Sequence, residues 1–274
     1  MIHKMTGSGN DFVFVDGRVD PVEAWTPERI QRVCARGTGV GADGLVVLEP
    51  GTHPGAVRFA YFNADGGRSA MCGNAALCSV RLAAWLELAR PSEVTLETDS
   101  GPIRGRCVPG EGERAEIELP ASTPVTTPEI PLSSGERWMC LTTVGVPHLV
   151  VLVDDVGAAP VPQRGRVLRH HPGVGPSGAN VDFVGNGGVC WRMRTYERGV
   201  EAETLACGTG AVAAAAALTA LTGAALPLDL ETRSGAVLTV TATLADRCLV
   251  RPTLAGQARL VYRAVLGGAG RCSA

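Results

Sequence analysis

Two cysteines in this chain sit where a thiol can act as an acid or a base. Cys72 stands in Met71-Cys72-Gly73-Asn74-Ala75-Ala76, and Cys207 in Ala206-Cys207-Gly208-Thr209-Gly210-Ala211. Each precedes a glycine and a small polar residue, and each then enters an alanine-rich stretch that reads as a helix. A thiol at a helix start is favoured as thiolate by the open N–H groups and the helix field. The same N–H groups can hold a carboxylate. Two such helix starts directed at one substrate would hold its carboxylate and flank the adjacent carbon. One sulfur would remove a proton and the other would return one on the opposite face, which inverts a stereocentre. Other readings of the residues stay open. Cys72 and Cys207 also fit a structural disulfide. Metal ligation lacks further His or Cys at ligand spacing. A Cys–His nucleophile pair would draw on His148, His170 or His171.

The surroundings of the cysteines repeat. Glu97-Thr98-Asp99-Ser100-Gly101 recurs as Glu231-Thr232-Arg233-Ser234-Gly235. Phe62-Asn63-Ala64-Asp65-Gly66 lines up with Tyr196-Glu197-Arg198-Gly199. Gly41-Ala42-Asp43 matches Gly178-Ala179-Asn180, and Asn10-Asp11-Phe12-Val13 aligns loosely with Val146-Pro147-His148-Leu149. The offsets cluster between 134 and 137 in 274 residues. Two units at so long a period indicate a duplicated lobe rather than a solenoid. Asn10, Asn63 and Asn180 sit at strand edges, where a turn asparagine is the ordinary reading. Glu197 and Arg198, just ahead of the Cys207 loop, suit the ammonium and a distal polar group of an amino acid, or a surface ion pair.

The elements that must position these residues follow from short β-branched runs bounded by Gly, Pro, Asp and Ser. Strands are expected over 12–15, 44–48, 57–62, 93–98, 103–107 and 115–119, then 138–144, 148–153, 180–184, 189–196, 227–231, 237–242 and 248–252. Helices are expected over 27–36, 72–88 and 207–222, with Thr26 as cap and Pro27 in the first turn. The stretch 120–131 holds four prolines and reads as the crossing between lobes, giving lobes of 1–122 and 123–274, with a C-terminal tail that can return to the first. Segment 164–178 reads as a lid or a surface loop.

The formal charge is −2, from 25 basic and 27 acidic residues. That balance leaves no basic field for nucleic acid. The apolar stretch 209–221 is shorter than the roughly 20 residues of a membrane span. No apolar leader opens the chain, and nine cysteines without a regular framework suit reduced thiols in the cytoplasm. Gly7-Ser8-Gly9 lacks the Lys-Ser/Thr of a phosphate loop.

Taken in order, Gly7-Ser8-Gly9-Asn10-Asp11-Phe12, Gly39-Val40-Gly41-Ala42-Asp43-Gly44, Phe62-Asn63-Ala64-Asp65-Gly66, Met71-Cys72-Gly73-Asn74, Gly178-Ala179-Asn180-Val181, Tyr196-Glu197-Arg198-Gly199 and Ala206-Cys207-Gly208-Thr209-Gly210 resemble the diaminopimelate epimerase family. The resemblance implies two pseudo-symmetric α/β lobes. Each would be a curved, mainly antiparallel sheet around a central helix, with the active site in the cleft between them. It implies two-base proton transfer at an α-carbon with no pyridoxal phosphate, no metal and no other cofactor, in a homodimer. Carried over, Cys72 and Cys207 form the acid–base pair. Gly73, Asn74, Gly208 and Thr209 hold the α-carboxylate, and Asn10, Asn63, Asn180, Glu197 and Arg198 line the substrate site.

Three positions depart from the family pattern. Val146 replaces the Asn of Gly-Asn-Pro-His, Ala75-Ala76-Leu77-Cys78 replaces Gly-Ala-Arg-Cys, and Thr6 replaces a histidine. A charged distal group facing Val146 loses a partner, at a cost on the order of a few kcal/mol. The acid–base parts stay while part of the distal recognition changes. The sequence therefore leans to another polar amino acid, such as the O-ureidoserine of a cycloserine-type antibiotic pathway, with diaminopimelate as the alternative.

Overall fold

The computed structural model describes residues Met1 to Gly267. The elements in chain order are β1 (Ile2–Gly7), β2 (Asn10–Asp16), α1 (Pro27–Cys34), β3 (Gly44–Pro50), β4 (Ala56–Asn63), β5 (Arg68–Ser69), α2 (Gly73–Trp85), β6 (Val94–Thr98), β7 (Gly101–Cys107) and β8 (Arg114–Glu118). They continue with β9 (Glu136–Val144), β10 (Val146–Val153), α3 (Val161–Arg169), β11 (Asn180–Asn186), β12 (Trp191–Glu197), β13 (Ala202–Thr204), α4 (Gly208–Thr222), β14 (Leu228–Glu231), β15 (Val237–Ala245), β16 (Cys248–Gln257) and β17 (Arg259–Ala264). The chain divides into Met1–Ala115 with the segment from Ala258 onward, and Glu116–Gln257.

In the first unit β1 pairs antiparallel with β2 and β17. Strand β2 runs parallel to β3, β3 antiparallel to β4, β4 parallel to β6, and β6 antiparallel to β7. The second unit repeats this plan. Strand β9 is antiparallel to β10, β10 parallel to β11, β11 antiparallel to β12, β12 parallel to β14, and β14 antiparallel to β15. Each unit is thus a mixed sheet, antiparallel in most pairings, with a helix on either side.

Alternation of side chains along the strands builds the two layers. In the first unit Val13, Val15, Leu45, Val47 and Phe62 pack with Trp25, Ile30 and Cys34 beneath α1. In the second, Leu149, Val151, Val181, Phe183 and Tyr196 pack with Val161 and Leu168 of α3. The inner helices are α2, which touches β1, β3, β4, β6 and β7, and α4, which touches β9, β10, β11, β15 and β16. Residues Ala211 to Leu218 of α4 are fully buried. Their small side chains let the helix lie close to the strands around it, and Gly223 closes it in the left-handed conformation.

Strand register refines the repeat. Phe12 pairs with Gly44 and His148 with Asn180. Gly44 and Asn180 are therefore equivalent, one residue off the match of Asp43 to Asn180 read from sequence. The counterpart of Asp43 is Ala179.

Several expectations change. Segment 164–178 is neither lid nor loop at its start: it carries the C-terminal half of α3, followed by a short 3-10 turn at Pro172–Val174. Three arginines and a glycine hid the helix, yet Gly165 is required there. A Cβ at this position would lie 2.6 Å from the Cβ of Tyr196. The proline-rich stretch belongs to the second unit, where Thr123 N–H donates to the Thr143 carbonyl and Thr126 bridges Leu141. Strands β1, β5, β13 and β17 escaped the sequence reading, the first because two charged or imidazole side chains, His3 and Lys4, are buried in it.

Strand β1 also seats α2. A Cβ on Gly7 would lie 2.6 Å from the Asn74 carbonyl and 3.1 Å from Cys78 Sγ. The variant Gly7→Ala is expected to lose about 1–3 kcal/mol of stability, read as a lower urea midpoint at unchanged slope.

Candidate active site

In the first unit the site is the start of α2. Cys72 occupies the N-cap in extended conformation, half-buried, and its carbonyl accepts from Ala76 N–H at 2.8 Å. Gly73 and Asn74 follow as the first two helical residues, whose N–H groups have no carbonyl within the helix to donate to. Asn74 is buried, and its Nδ2 donates to Asn10 Oδ1 at 2.8 Å. Asn10 Nδ2 in turn donates to Asp43 Oδ2 at 2.9 Å. Asn63 ends β4 opposite Gly44, with its backbone N–H on the Gly67 carbonyl and its side chain exposed.

In the second unit Cys207 holds the same N-cap position on α4, again extended. Its Sγ accepts from Gly210 N–H at 3.4 Å and lies 3.6 Å from Thr209 Oγ1. Ala211 N–H goes to the Cys207 carbonyl. The N–H groups of Gly208 and Thr209 therefore form the open end of this helix. Gly210 is fixed in type by packing, since a Cβ there would lie 2.5 Å from Asp182 Oδ1.

A buried polar cluster backs Cys207. His148 and Asp182 are both fully buried, with Nδ1 and Oδ2 at 2.8 Å. Thr195 Oγ1 donates to the other Asp182 oxygen at 2.7 Å. The carboxylate accepts, so His148 carries a proton on Nδ1. Its Nε2 meets Thr209 Oγ1 at 3.1 Å and Asn180 Nδ2 at 3.5 Å. Asn180 Oδ1 is committed to the backbone N–H of Arg198 at 2.7 Å, which leaves its NH2 facing the ring and makes Nε2 an acceptor. Glu197 accepts from Thr204 Oγ1 at 2.7 Å and is hydrogen-bonded to the Cys207 thiol. Burial pushes the Glu197 carboxyl above the usual range, against the pull of those two bonds. Val146 opens β10 and pairs with Val144 across the turn.

Burial also pushes the Cys207 thiol well up. The charges of Glu197 and Asp182 push the same way, and the Thr209 hydroxyl and Gly210 N–H offset them only in part. The expectation of a lowered pKa at a helix start is thus reversed here, because desolvation and two carboxylates outweigh one turn of helix field. Of the histidines that could pair with a thiol, His148 reaches Thr209 rather than sulfur. His170 lies on the surface beside Glu201, and His171 caps Gly173. Asp182, Thr195 and Asp43 were missed as site residues. A charged residue between Val181 and Phe183 in an apolar strand was the available signal for the first. Among the described residues no group of three or more His, Cys, Asp and Glu side chains is arranged to hold a metal ion, and no helix is long and apolar enough to cross a membrane.

Comparison with known proteins places this geometry. The diaminopimelate epimerase family pattern matches residues 2–115 and 140–249. The chain belongs to the diaminopimelate epimerase family. It is 42% identical to a diaminopimelate epimerase of Gemmatimonas aurantiaca, over 97% of this chain and 98% of that one. It is 39% identical to a diaminopimelate epimerase of Aquifex aeolicus, over 86% and 88%. Its fold matches the Bacillus anthracis phenazine biosynthesis protein of the PhzF family at TM-score 0.70 and 16% identity, covering 93% and 94% of the two chains. It also matches a probable proline racemase of Agrobacterium radiobacter at TM-score 0.66 and 20% identity, covering 97% and 93%. The protein is an isomerase of the racemase and epimerase kind that works on amino-acid-like substrates without pyridoxal phosphate.

The electrostatics around Cys207 can be read chemically. Glu197→Gln removes one of the two negative charges that disfavour the thiolate. Alkylation of Cys207 by iodoacetamide at pH 8, followed by peptide mass spectrometry, is expected to be several-fold faster in the variant. In the native protein the rate should still be climbing above pH 9, the ordinary thiol value.

Proposed function

We propose that this protein interconverts LL- and meso-diaminopimelate, with Cys72 and Cys207 as its acid–base pair. The observation that carries the chemistry is the recurrence of one device in both units: a cysteine at the N-cap of a buried helix whose first N–H groups are open. The substrate is supported by near full-length similarity to relatives described as diaminopimelate epimerases. That similarity favours diaminopimelate over the O-ureidoserine to which the sequence leaned.

In this reading one thiolate takes the α-proton. The other thiol delivers a proton to the opposite face of the same carbon. The N–H groups of Gly73, Asn74, Gly208 and Thr209 hold the α-carboxylate and stabilise the charge that grows on it as the proton leaves. Asn10, Asn63, Asn180, Glu197 and Arg198 bind the rest of the substrate. Burial and the carboxylates of Glu197 and Asp182 hold Cys207 as the protonated partner in the resting enzyme. Both sulfurs must be reduced, so a Cys72–Cys207 disulfide would abolish activity. The family resemblance also supports a cytoplasmic homodimer, for which light scattering of the purified chain is the test.

Val146 is the observation that favours a second reading. An aliphatic side chain stands where the family carries an amide, so a substrate with a neutral distal end, O-ureidoserine, is the competitor.

Exchange of α-hydrogen in deuterated buffer with reductant, with chiral product analysis, decides between them. Rapid turnover of LL-diaminopimelate is expected, and turnover of L-O-ureidoserine alone would replace the proposal. Cys72→Ser and Cys207→Ser should each lower exchange by at least about 100-fold. Val146→Asn should lower KM for diaminopimelate by about 10-fold, the equivalent of one hydrogen bond to a charged group. An unchanged KM would remove position 146 from distal recognition.

A further inference from the structure

The α2 site rests on a directed chain of side-chain hydrogen bonds that ends at Asp43. Asp43 lies in the loop between α1 and β3, just after Gly41 in the left-handed conformation. Its Oδ2 accepts from Asn10 Nδ2 at 2.9 Å and from the Asp11 backbone N–H at 3.2 Å. Its Oδ1 accepts from Arg36 Nη2 at 2.7 Å. Its backbone carbonyl accepts from Ala64 N–H at 3.1 Å, next to Asn63, and its own N–H donates to the Asp11 carbonyl. Arg36 also binds Asp11, at 2.6 Å, and Lys4 ties Asp11 to the Gly41 carbonyl. The loop is thereby clamped against the β1–β2 turn.

An ionised carboxylate accepts and never donates. Asp43 therefore obliges Asn10 to turn its NH2 end towards the carboxylate, and this sets the carbonyl end of Asn10 against Asn74. The chain of donors runs one way, from Asn74 to Asn10 to Asp43. An amide at position 43 would accept or donate, and both asparagines could then reverse.

We infer that Asp43 is a positioning residue of this site: its carboxylate fixes the amide sense of Asn10 and, through it, of Asn74 at the first turn of α2. No counterpart exists in the second unit, where Ala179 holds the equivalent position. The consequence for substrate rests on the proposed racemase reading. Asn10 and Asn74 then show a bound amino acid one defined face each, and losing that definition weakens binding more than it slows the chemistry.

A stability cycle tests the direction of the chain without any substrate. In Asn74→Asp, the carboxylate placed at position 74 faces the Asn10 carbonyl, which Asp43 holds in place. Adding Asp43→Asn lets Asn10 turn round, accept from the new amide and donate to the new carboxylate. The double variant is expected to melt about 2–4 °C above the value that adding the two single losses gives. Losses that add within about 1 °C would overturn the inference. If Asn74→Asp alone fails to fold, a folded double variant supports the inference and an unfolded one overturns it.

Kinetics supply the second arm. Asp43→Asn should raise KM about 10-fold with kcat changed less than about 3-fold. Arg36→Ala, which removes the exposed ion pairs to Asp11 and Asp43 but keeps the acceptor, should change KM less than about 3-fold. Equal effects of the two would reduce Asp43 to a structural ion pair and overturn the inference. If the native enzyme inverts no amino acid, the functional proposal fails while the melting cycle still judges Asp43.

Discussion

A helix buried inside a sheet begins with N–H groups that nothing in the helix can accept, and the rest of each unit is arranged around that fact. Helices α2 and α4 are buried along their first turns. Their small side chains allow strands to close around them; Gly7 lets β1 approach the Asn74 carbonyl of α2, and Gly210 lets the Asp182 carboxylate approach the start of α4. What would elsewhere be a packing liability leaves open N–H groups of the kind that can hold an anion, with a sulfur beside them.

The two units share topology and register yet tune the helix start differently. In the first, Asp43 is held in a network with Arg36, Lys4 and Asp11 and reaches the helix start through the amides of Asn10 and Asn74. The half-buried Cys72 stands at that end. In the second, Asp182, His148 and Glu197 crowd directly behind a buried Cys207, and desolvation with two carboxylates keeps that thiol protonated. Duplication supplied the same scaffold twice. The charges around it differ: two carboxylates stand behind Cys207, while Asp43 reaches the start of α2 through Asn10.

Such tuning carries a cost. A buried His–Asp pair is tolerated only when every lone pair and proton is used. Here Thr195, Thr209 and Asn180 complete the set, and Asn180 is at the same time bound to the backbone of Arg198. Electrostatics at the thiol and placement of the Glu197–Arg198 corner are therefore one arrangement, and a change in either is felt by the other.

The sequence by itself determined the duplicated plan, the two cysteine-headed helices and most of the strands between them. These depend on local signals: alternation, caps, glycines and a repeat of fixed offset. It carried the family as well, because the motifs recur in order along the whole chain. Tertiary structure decided what local pattern cannot encode. Helix α3 forms because Gly165 packs on Tyr196, despite a sequence rich in arginine and broken by glycine. Strand β1 forms between β2 and β17 although it buries His3 and Lys4. The proline-rich stretch joins the second unit by pairing with β9. Asp182 and His148 lie 34 residues apart in the chain, and only parallel pairing of β10 with β11 brings them together behind Cys207. The direction of the Cys207 shift was likewise beyond the sequence, since a helix start favours the thiolate and only burial among carboxylates reverses that preference.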